Sequence, residues 1–382
     1  MRVGLFIDHF DPAKGGLETA LAHLAHALTD AGHEAFVYCL SAAENAPGRH
    51  RVISLSASRR GELERALAAK SLAAAHADEC DVTLAVRHCP DVDVYWPHGG
   101  SHAATLAAGE ASKGGAAGAV SRLLHHVSPR HRVFLDLERA ALTGGARKIW
   151  CVSQLVRDEL AAAYPACADR LEVHPNGVDR DAFSPGLRAH WRTSLRAELA
   201  VPAGAPLLLF MGGNLRLKGW DVLRAALSRS TDVAWACVVA GADVATVERD
   251  ARAAGIGERV IAIPRHDAAT LFGGADLLVQ PTFRDPCSLA TLESLAAGVP
   301  VLTTTANGAA DALVDPVAGQ AVSAGDVDAF SSALRYWIVT VADSESRAAS
   351  ALAARRCTTD RDVGPWLTRM VSSLASLAAL GR

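Results

Sequence analysis

Short apolar runs without polar alternation recur along the chain, each followed by a longer stretch in which Ala and Leu return at helical spacing. Such runs read as strands buried on both faces, and the stretches between them as the helices that cover those faces. In the first half the strands fall at residues 3–7, 35–40, 82–86, 92–96, 149–152 and 171–173. The pattern restarts at 207–211 and continues through 233–240, 260–263, 277–280 and 299–303. Strand and helix in alternation, twice over, predict an α/β protein with two parallel, doubly wound sheets. The turn-forming sequence Pro175-Asn176-Gly177-Val178-Asp179 marks the division. Residues 1–178 then form a first domain and 179–358 a second. The remainder, 359–382, carries a helix over 365–380 with proline in its first turn and Trp366, Met370, Leu374 and Leu377 on one face. The Gly/Ala-rich stretch 101–120 reads as a mobile loop.

Composition narrows the class. Half of the 382 residues are hydrophobic, enough for two separate cores. A formal charge of -3 gives no global attraction to nucleic acid, so no nucleic-acid partner is expected and any anionic partner must meet a local patch. The eight cysteines form no CxxC pair and fall mostly in apolar runs, as reduced core residues of a cytoplasmic protein do. The N-terminal apolar run is too short for a signal peptide, and no stretch approaches the roughly 20 apolar residues of a membrane span. No metal is expected. Asp91-Val92-Asp93 is a DxD tripeptide, but so are 179–181, 326–328 and 360–362, a frequency that argues chance; His125, His126 and His131 lack a convincing partner set.

The most informative stretch is 275–304, where Asp285 and Glu293 stand eight positions apart across the start of a helix between two apolar strands. The helix begins at Leu289 and stops before Gly298. Backbone N–H groups near Cys287, Ser288 and Leu289 are then left open at a helix N-terminus, where the dipole favours a phosphate. Asp285 reaches sugar hydroxyls on one side of that phosphate and Glu293 reaches ribose hydroxyls on the other. The plain alternative makes Asp285 a cap and Glu293 a solvated helix residue.

The acid-x7-acid spacing, with the flanking Pro286 and the tail AAGVPVL, resembles the signature of retaining GT-B glycosyltransferases of family four. Most relatives have Glu where Asp285 stands and Gly where Ser288 stands. HPNGVDRDAF resembles their interdomain segment, and Gly15-Gly16, after the first strand, their GG-x-E loop; the spacing is not the G-x-G-x-x-G of a dinucleotide fold. Lys218-Gly219 resembles the loop that supplies cations to the donor diphosphate. Gly213 replaces the usual arginine there, and Arg216 stands within the loop as a substitute. Arg265 lies where the family holds the nucleotide base, and His98, before Gly99-Gly100, resembles the histidine beside the donor sugar. Solvated loop charges are the alternative for Lys218 and Arg216, and an ordinary tight turn for Gly15 and Gly16.

The resemblance implies a GT-B fold with two Rossmann-like domains facing a central cleft, the C-terminal helix crossing back to the first. It is nearest to the lipopolysaccharide core heptose glucosyltransferases. It implies retaining, metal-independent transfer of a hexose from a nucleotide sugar, UDP-glucose or a relative, to a cell-envelope glycan or glycolipid. Asp285 and His98 would be catalytic; Gly15, Gly16, Arg216, Lys218, Arg265, Ser288, Leu289 and Glu293 would bind the donor. Residues 101–120 would lie over the acceptor side. The basic segment 121–132 is a patch for an anionic membrane, at the inner face of the cytoplasmic membrane, or for a phosphorylated saccharide, or else a plain solvated helix. A sugar-nucleotide epimerase or hydrolase, and a degenerate scaffold, are the competing readings.

Overall fold

The protein was analysed as a computed structural model, which describes residues 1–12, 15–43, 51–54, 69–71, 73 and 76–381. The chain divides into two compact units. The first comprises Met1–Leu106, Val120–Asn176 and Gly364–Arg382, the second Ala107–Ala119 and Gly177–Val363.

Each unit is built on a parallel sheet. The first runs in the order β5 (Arg51–Ser54), β3 (Glu34–Cys39), β1 (Arg2–Phe6), β6 (Val82–Ala85), β7 (Val94–Tyr95), β8 (Lys148–Cys151) and β9 (Leu171–Val173). A two-residue ribbon, β2 (His9–Phe10) with β4 (Ser41–Ala42), stands apart from it. The second sheet runs β12 (Val260–Ile263), β11 (Ala236–Ala240), β10 (Leu207–Met211), β13 (Leu277–Gln280), β14 (Val301–Thr304) and β15 (Gly319–Val322). The direction of winding reverses between β1 and β6 in the first sheet, and between β10 and β13 in the second. Ligands of open α/β sheets bind beyond the carboxyl ends of the strands at such switch points. Strands β6, β11, β13 and β14 are buried along their whole length, which is why they read as unbroken apolar runs.

Departures from the sequence reading have local causes. Strand β7 is only Val94–Tyr95, because the Asp93 carboxylate turns inward and accepts from Thr83 N–H at 2.9 Å and Thr83 Oγ1 at 2.8 Å. One carboxylate of the DxD tripeptide is thus a staple between β6 and β7. Strand β14 starts at Val301, since Val299 N–H closes the preceding helix on Ser294 O and Pro300 has no N–H to give. Strands β5 and β15 were not expected; β15 holds the polar Gln320 between Gly319 and Ala321 and carries little apolar signal.

The expected loop at 101–120 is helical. It forms the helix His102–Ala111 and the first part of Gly115–Val127, separated by Gly114 and Gly115 at φ 64° and 44°. The alanines that made the stretch look featureless are strong helix formers, and the adjacent glycines mark only the break.

The C-terminal helix, Val363–Ala379, buries Trp366, Met370, Leu374 and Leu377. It belongs to the first unit: Trp366 lies 6.1 Å from the Trp96 ring, and Arg147 Nη1 donates to Leu377 O at 3.0 Å. The two segments joining the units are bonded to each other, Val178 N–H to Arg361 O at 2.8 Å and Val363 N–H to Val178 O at 3.0 Å.

Trp366→Ala should destabilise the first unit by about 3–5 kcal/mol, the usual result of emptying a buried aromatic site. The measurement is the denaturant midpoint, and an unshifted midpoint would show that the helix adds nothing to that core.

Candidate active site

In the second unit the loops after β10 and β13 meet at the switch point and are tied together. Gln280 Nε2 donates to Met211 O at 3.1 Å, Thr282 Oγ1 to Leu217 O at 3.0 Å, and Phe283 N–H to the same carbonyl at 2.8 Å. Asn214 Oδ1 accepts from Leu217 N–H at 3.1 Å and shapes the turn that delivers Lys218. Gly219 sits at φ 80°, and a Cβ there would fall 2.0 Å from Pro281 O. Only glycine lets the loops approach so closely. Across this contact the Lys218 ammonium is hydrogen-bonded to the Asp285 carboxylate. The residues read as the cation for a diphosphate and the carboxylate for a sugar therefore stand side by side. Arg216 is exposed in the same loop, and Arg265 is exposed in the loop after β12.

The segment that carries Asp285 rests on a buried polar network. Gln280 Oε1 accepts from Ser288 Oγ at 2.9 Å, while Asn307 Nδ2 donates to Thr291 Oγ1 at 2.9 Å and Thr303 Oγ1 at 3.0 Å. Asp285 itself is pinned through its backbone, its N–H to Ala306 O at 2.9 Å and its carbonyl to Gly308 N–H at 2.8 Å. Gln280, Asn307, Thr291 and Thr303 are almost wholly buried. None was singled out from sequence; the only available signal was a glutamine closing an otherwise apolar strand run.

The helix Leu289–Ala296 starts at Ser288, whose hydroxyl accepts from Thr291 N–H at 3.3 Å. The N–H of Ser288 was expected to be open, but it donates to Asn307 Oδ1 at 3.3 Å. That leaves Leu289 and Ala290 with N–H groups that have no partner among the described residues. Ser288 thus serves the helix and the loop with all its polar groups, and the anion-facing amides lie one and two residues further on.

One turn into this helix, half-buried Glu293 makes no side-chain hydrogen bond or ion pair among the described residues. Burial pushes its carboxyl up to about 7, helped by the carboxylate of Asp267. Asp267, also missed from sequence, caps the helix Ala268–Gly274 by accepting from Thr270 N–H at 2.7 Å. An unpaired carboxylate of this kind is poised to accept from hydroxyls, which would replace the water it has lost.

The remaining candidates lie in the first unit. Gly15 caps the helix Gly16–Asp30 with extended backbone, and Thr19 Oγ1 ties the turn down by donating to Pro12 O at 2.8 Å and Gly15 O at 2.9 Å. The neighbouring Ala13 and Lys14 lie outside the described residues. Beside that turn, at the switch point of this sheet, Asp8 accepts from Arg87 Nε at 2.9 Å. His98 follows β7, half-buried, its ring edge against Trp96 at 5.0 Å between centroids. Among the described residues no group of three or more His, Cys, Asp or Glu is disposed to hold a metal ion.

Two strand-built units carry an acidic and basic pair at the switch point of each sheet, and the second adds open amides beside an unpaired carboxylate, groups suited to an anion and to hydroxyls. Family comparison agrees: Glycosyltransferase Family 4 matches residues 14–182 and Glycosyl transferases group 1 matches 192–355. The chain belongs to the GT-B glycosyltransferases. Among solved structures it resembles WaaG, a glycosyltransferase involved in lipopolysaccharide biosynthesis, with TM-score 0.80 and 22% identity, covering 97% of this chain and 99% of that one. It also resembles Anabaena HepE in complex with UDP-glucose, with TM-score 0.70 and 19% identity, covering 98% and 100%. In sequence it is 33% identical over 208 residues to the D-inositol 3-phosphate glycosyltransferase of Xylanimonas cellulosilytica, over 52% of this chain and 49% of that protein. The same named enzyme of Mycolicibacterium paratuberculosis is 33% identical over 209 residues, 51% and 46% of the two chains. The chain thus spans about half the length of the curated relatives it matches.

The raised carboxyl of Glu293 makes stability depend on pH. Between the ordinary carboxylate range and about 7 the folded chain holds a proton that the unfolded chain has released. The stabilisation is complete below that window and is lost as pH rises through it. Glu293→Gln should therefore match the parent near pH 4 and exceed it in stability at pH 8 by about 1–3 kcal/mol. Thermal unfolding across pH reads this directly; a constant difference between the two proteins would place Glu293 in water.

Proposed function

We propose that the protein transfers a hexose, with retention and without a metal, from a nucleotide sugar to a cell-envelope saccharide or glycolipid. The observation that carries the reading is the unpaired Glu293 carboxylate, one helical turn from the open N–H groups of Leu289 and Ala290. In this reading the ribose hydroxyls donate to Glu293, and the diphosphate accepts from the two amides and from Lys218. Asp285, beside Lys218, faces the sugar and offsets positive charge growing at the anomeric carbon. Arg216 and Arg265 flank the diphosphate and the base, and Gly15-Gly16 is read as a donor-binding turn of the first unit. HepE has been solved with UDP-glucose, which supports a uridine donor here.

The chemistry follows front-face displacement. The acceptor hydroxyl oxygen bonds to the anomeric carbon on the face from which the diphosphate departs. The C–O bond to phosphate breaks with its electron pair, and the leaving phosphate oxygen takes the acceptor proton. His98 orients hydroxyls and carries no proton in this scheme. A phosphorylated polyol is a second reading of the acceptor, favoured by relatives named D-inositol 3-phosphate glycosyltransferase.

The acceptor side is read as lying against a membrane. Val120, Leu123, Leu124 and Val127 are 58–66% exposed and recur on one side of the helix Gly115–Val127. Arg122, Arg130 and Arg132 stand in the same segment. An apolar stripe with arginines beside it suits an anionic bilayer, and supports a place at the inner face of the cytoplasmic membrane. No helix among the described residues is long and apolar enough to cross a membrane.

Lys218→Ala and Glu293→Gln should each weaken UDP binding at pH 8 by about 1.5–3 kcal/mol in calorimetry. Asp285→Asn should leave UDP affinity unchanged or tighter, since it frees Lys218, while lowering the single-turnover rate with UDP-glucose. Equal loss of UDP affinity in all three variants would show that the carboxylates do not divide the donor. Product formed from donor alone would favour an epimerase or hydrolase, and no binding of any nucleoside diphosphate would favour a scaffold.

Neutralising Arg122, Arg130 and Arg132 should reduce binding to anionic liposomes, each charge contributing roughly 1 kcal/mol, and leave donor affinity intact. Parent protein that ignores anionic liposomes at low salt would end the membrane reading.

A further inference from the structure

At the opposite end of β13 from the donor loop, Asp276 is buried to 1% exposure and faces four arginines. Three come from one face of the helix Gly186–Glu198, at successive turns. Arg188 Nη2 reaches Asp276 Oδ1 at 3.1 Å, Arg192 Nη1 the same oxygen at 2.6 Å, and Arg196 Nη1 reaches Oδ2 at 3.1 Å. The fourth, Arg347, comes from the helix Ser344–Arg356 and stands 4.0 Å from Oδ1. Asp276 also accepts from Leu207 N–H at 2.9 Å, so its oxygens are saturated.

Holding one helix on one carboxylate needs a single bidentate guanidinium. Three arginines spaced four apart repel one another along a helix, and a fourth adds to that repulsion. The Asp343 carboxylate near Arg347 offsets one charge, leaving a surplus of two positive charges among side chains that are 14–30% exposed. The repulsion shows in Arg188 and Arg196, which burial and the neighbouring arginines hold below the ordinary guanidinium range.

The four side chains divide into two pairs. Arg188 and Arg196 are 16% and 14% exposed and spend their remaining donors on the carbonyls of Ala275 and Ala205. Arg192 and Arg347 are 30% and 28% exposed. Arg192 makes no hydrogen bond among the described residues beyond Asp276, and Arg347 Nη2 makes none. The inner pair anchors the helix. The outer pair has N–H groups to spare, and both side chains approach the same carboxylate oxygen.

We propose that Arg192 and Arg347 form a second anion site, for a phosphate group, on the face of the unit away from the donor loop. The planar fork of arginine suits phosphate oxygens, and the surplus charge supplies the attraction. The strand Leu277–Gln280 alone separates the site from the donor loop, about 13 Å of rigid backbone at ordinary strand rise. The proposal does not depend on the glycosyl-transfer reading.

The test uses the full chain, with inorganic phosphate and pyrophosphate as probes in calorimetry and thermal shift. The parent should bind pyrophosphate, and the double variant Arg192→Gln/Arg347→Gln should bind it at least tenfold more weakly. Lys218→Ala should retain that binding, which separates this site from the donor loop. Without ligand the double variant should melt at or above the parent temperature, because repulsion is relieved and Asp276 keeps its inner pair. Binding of phosphatidic acid vesicles that the double variant loses, with no response to the soluble ions, would support the same chemistry with a lipid as its source. Unchanged pyrophosphate affinity in the double variant would overturn the proposal. So would a parent that binds neither probe nor vesicles, together with a lower melting temperature for the double variant, as an ordinary structural clamp would give.

Discussion

The candidate site at the carboxyl ends of β10 and β13 depends on a buried carboxamide network. Gln280 closes β13 and uses both ends of its side chain, one on Met211 O and the other on Ser288 Oγ. Asn307 holds the far side of the same loop through Ser288 N–H, Thr291 and Thr303. In a dry interior each bond outweighs its counterpart in water, and breaking one strands its partner at a cost of about 1–3 kcal/mol. The loop from Pro281 to Ser288 contains no helix or strand, so its shape is set by these two amides together with the backbone bonds of Phe283 and Asp285. Asp285, the open amides and Glu293 all inherit their positions from it.

Much of this could be read along the chain, for a definite reason. Parallel strands buried on both faces announce themselves as apolar runs, and the C-terminal helix shows its buried stripe at Trp366, Met370, Leu374 and Leu377 because one face alone is covered. Glu293 was legible because its distance from Asp285 is a distance along one local element. The Lys218–Asp285 pair was not, since it joins residues 67 positions apart through two loops. Nor was the cap at Ser288, whose N–H donates to Asn307 and whose hydroxyl donates to Gln280, each from a different element. Residues 101–120 misled for the opposite reason. Composition suggested looseness where propensity made helix.

Both sheets answer the same electrostatic problem in the same place. At the switch point of the first, Arg87 faces Asp8; at that of the second, Lys218 faces Asp285. Strand ends there expose a gap between diverging helices, and a charge left alone in such a gap is poorly solvated. Pairing each cation with a carboxylate from the adjacent strand end offsets both charges. It also limits how tightly a bare phosphate is held, because an anion must compete with a carboxylate already in contact. Glu293 follows the other course: it lies beside a second carboxylate, Asp267, makes no ion pair among the described residues, and answers by holding its proton more tightly.

The contact between Gly219 and Pro281 has a consequence for anyone redesigning this protein. With a Cβ at 219 falling 2.0 Å from a main-chain oxygen, no rotamer change can make room, so the position is closed to substitution unless the whole 281–288 loop is rebuilt. Gly213 and Arg216, exposed a few residues earlier, face no such wall. Variation in this loop belongs at those two sites. A library that randomises the entire turn would spend most of its members on chains whose two loops can no longer meet.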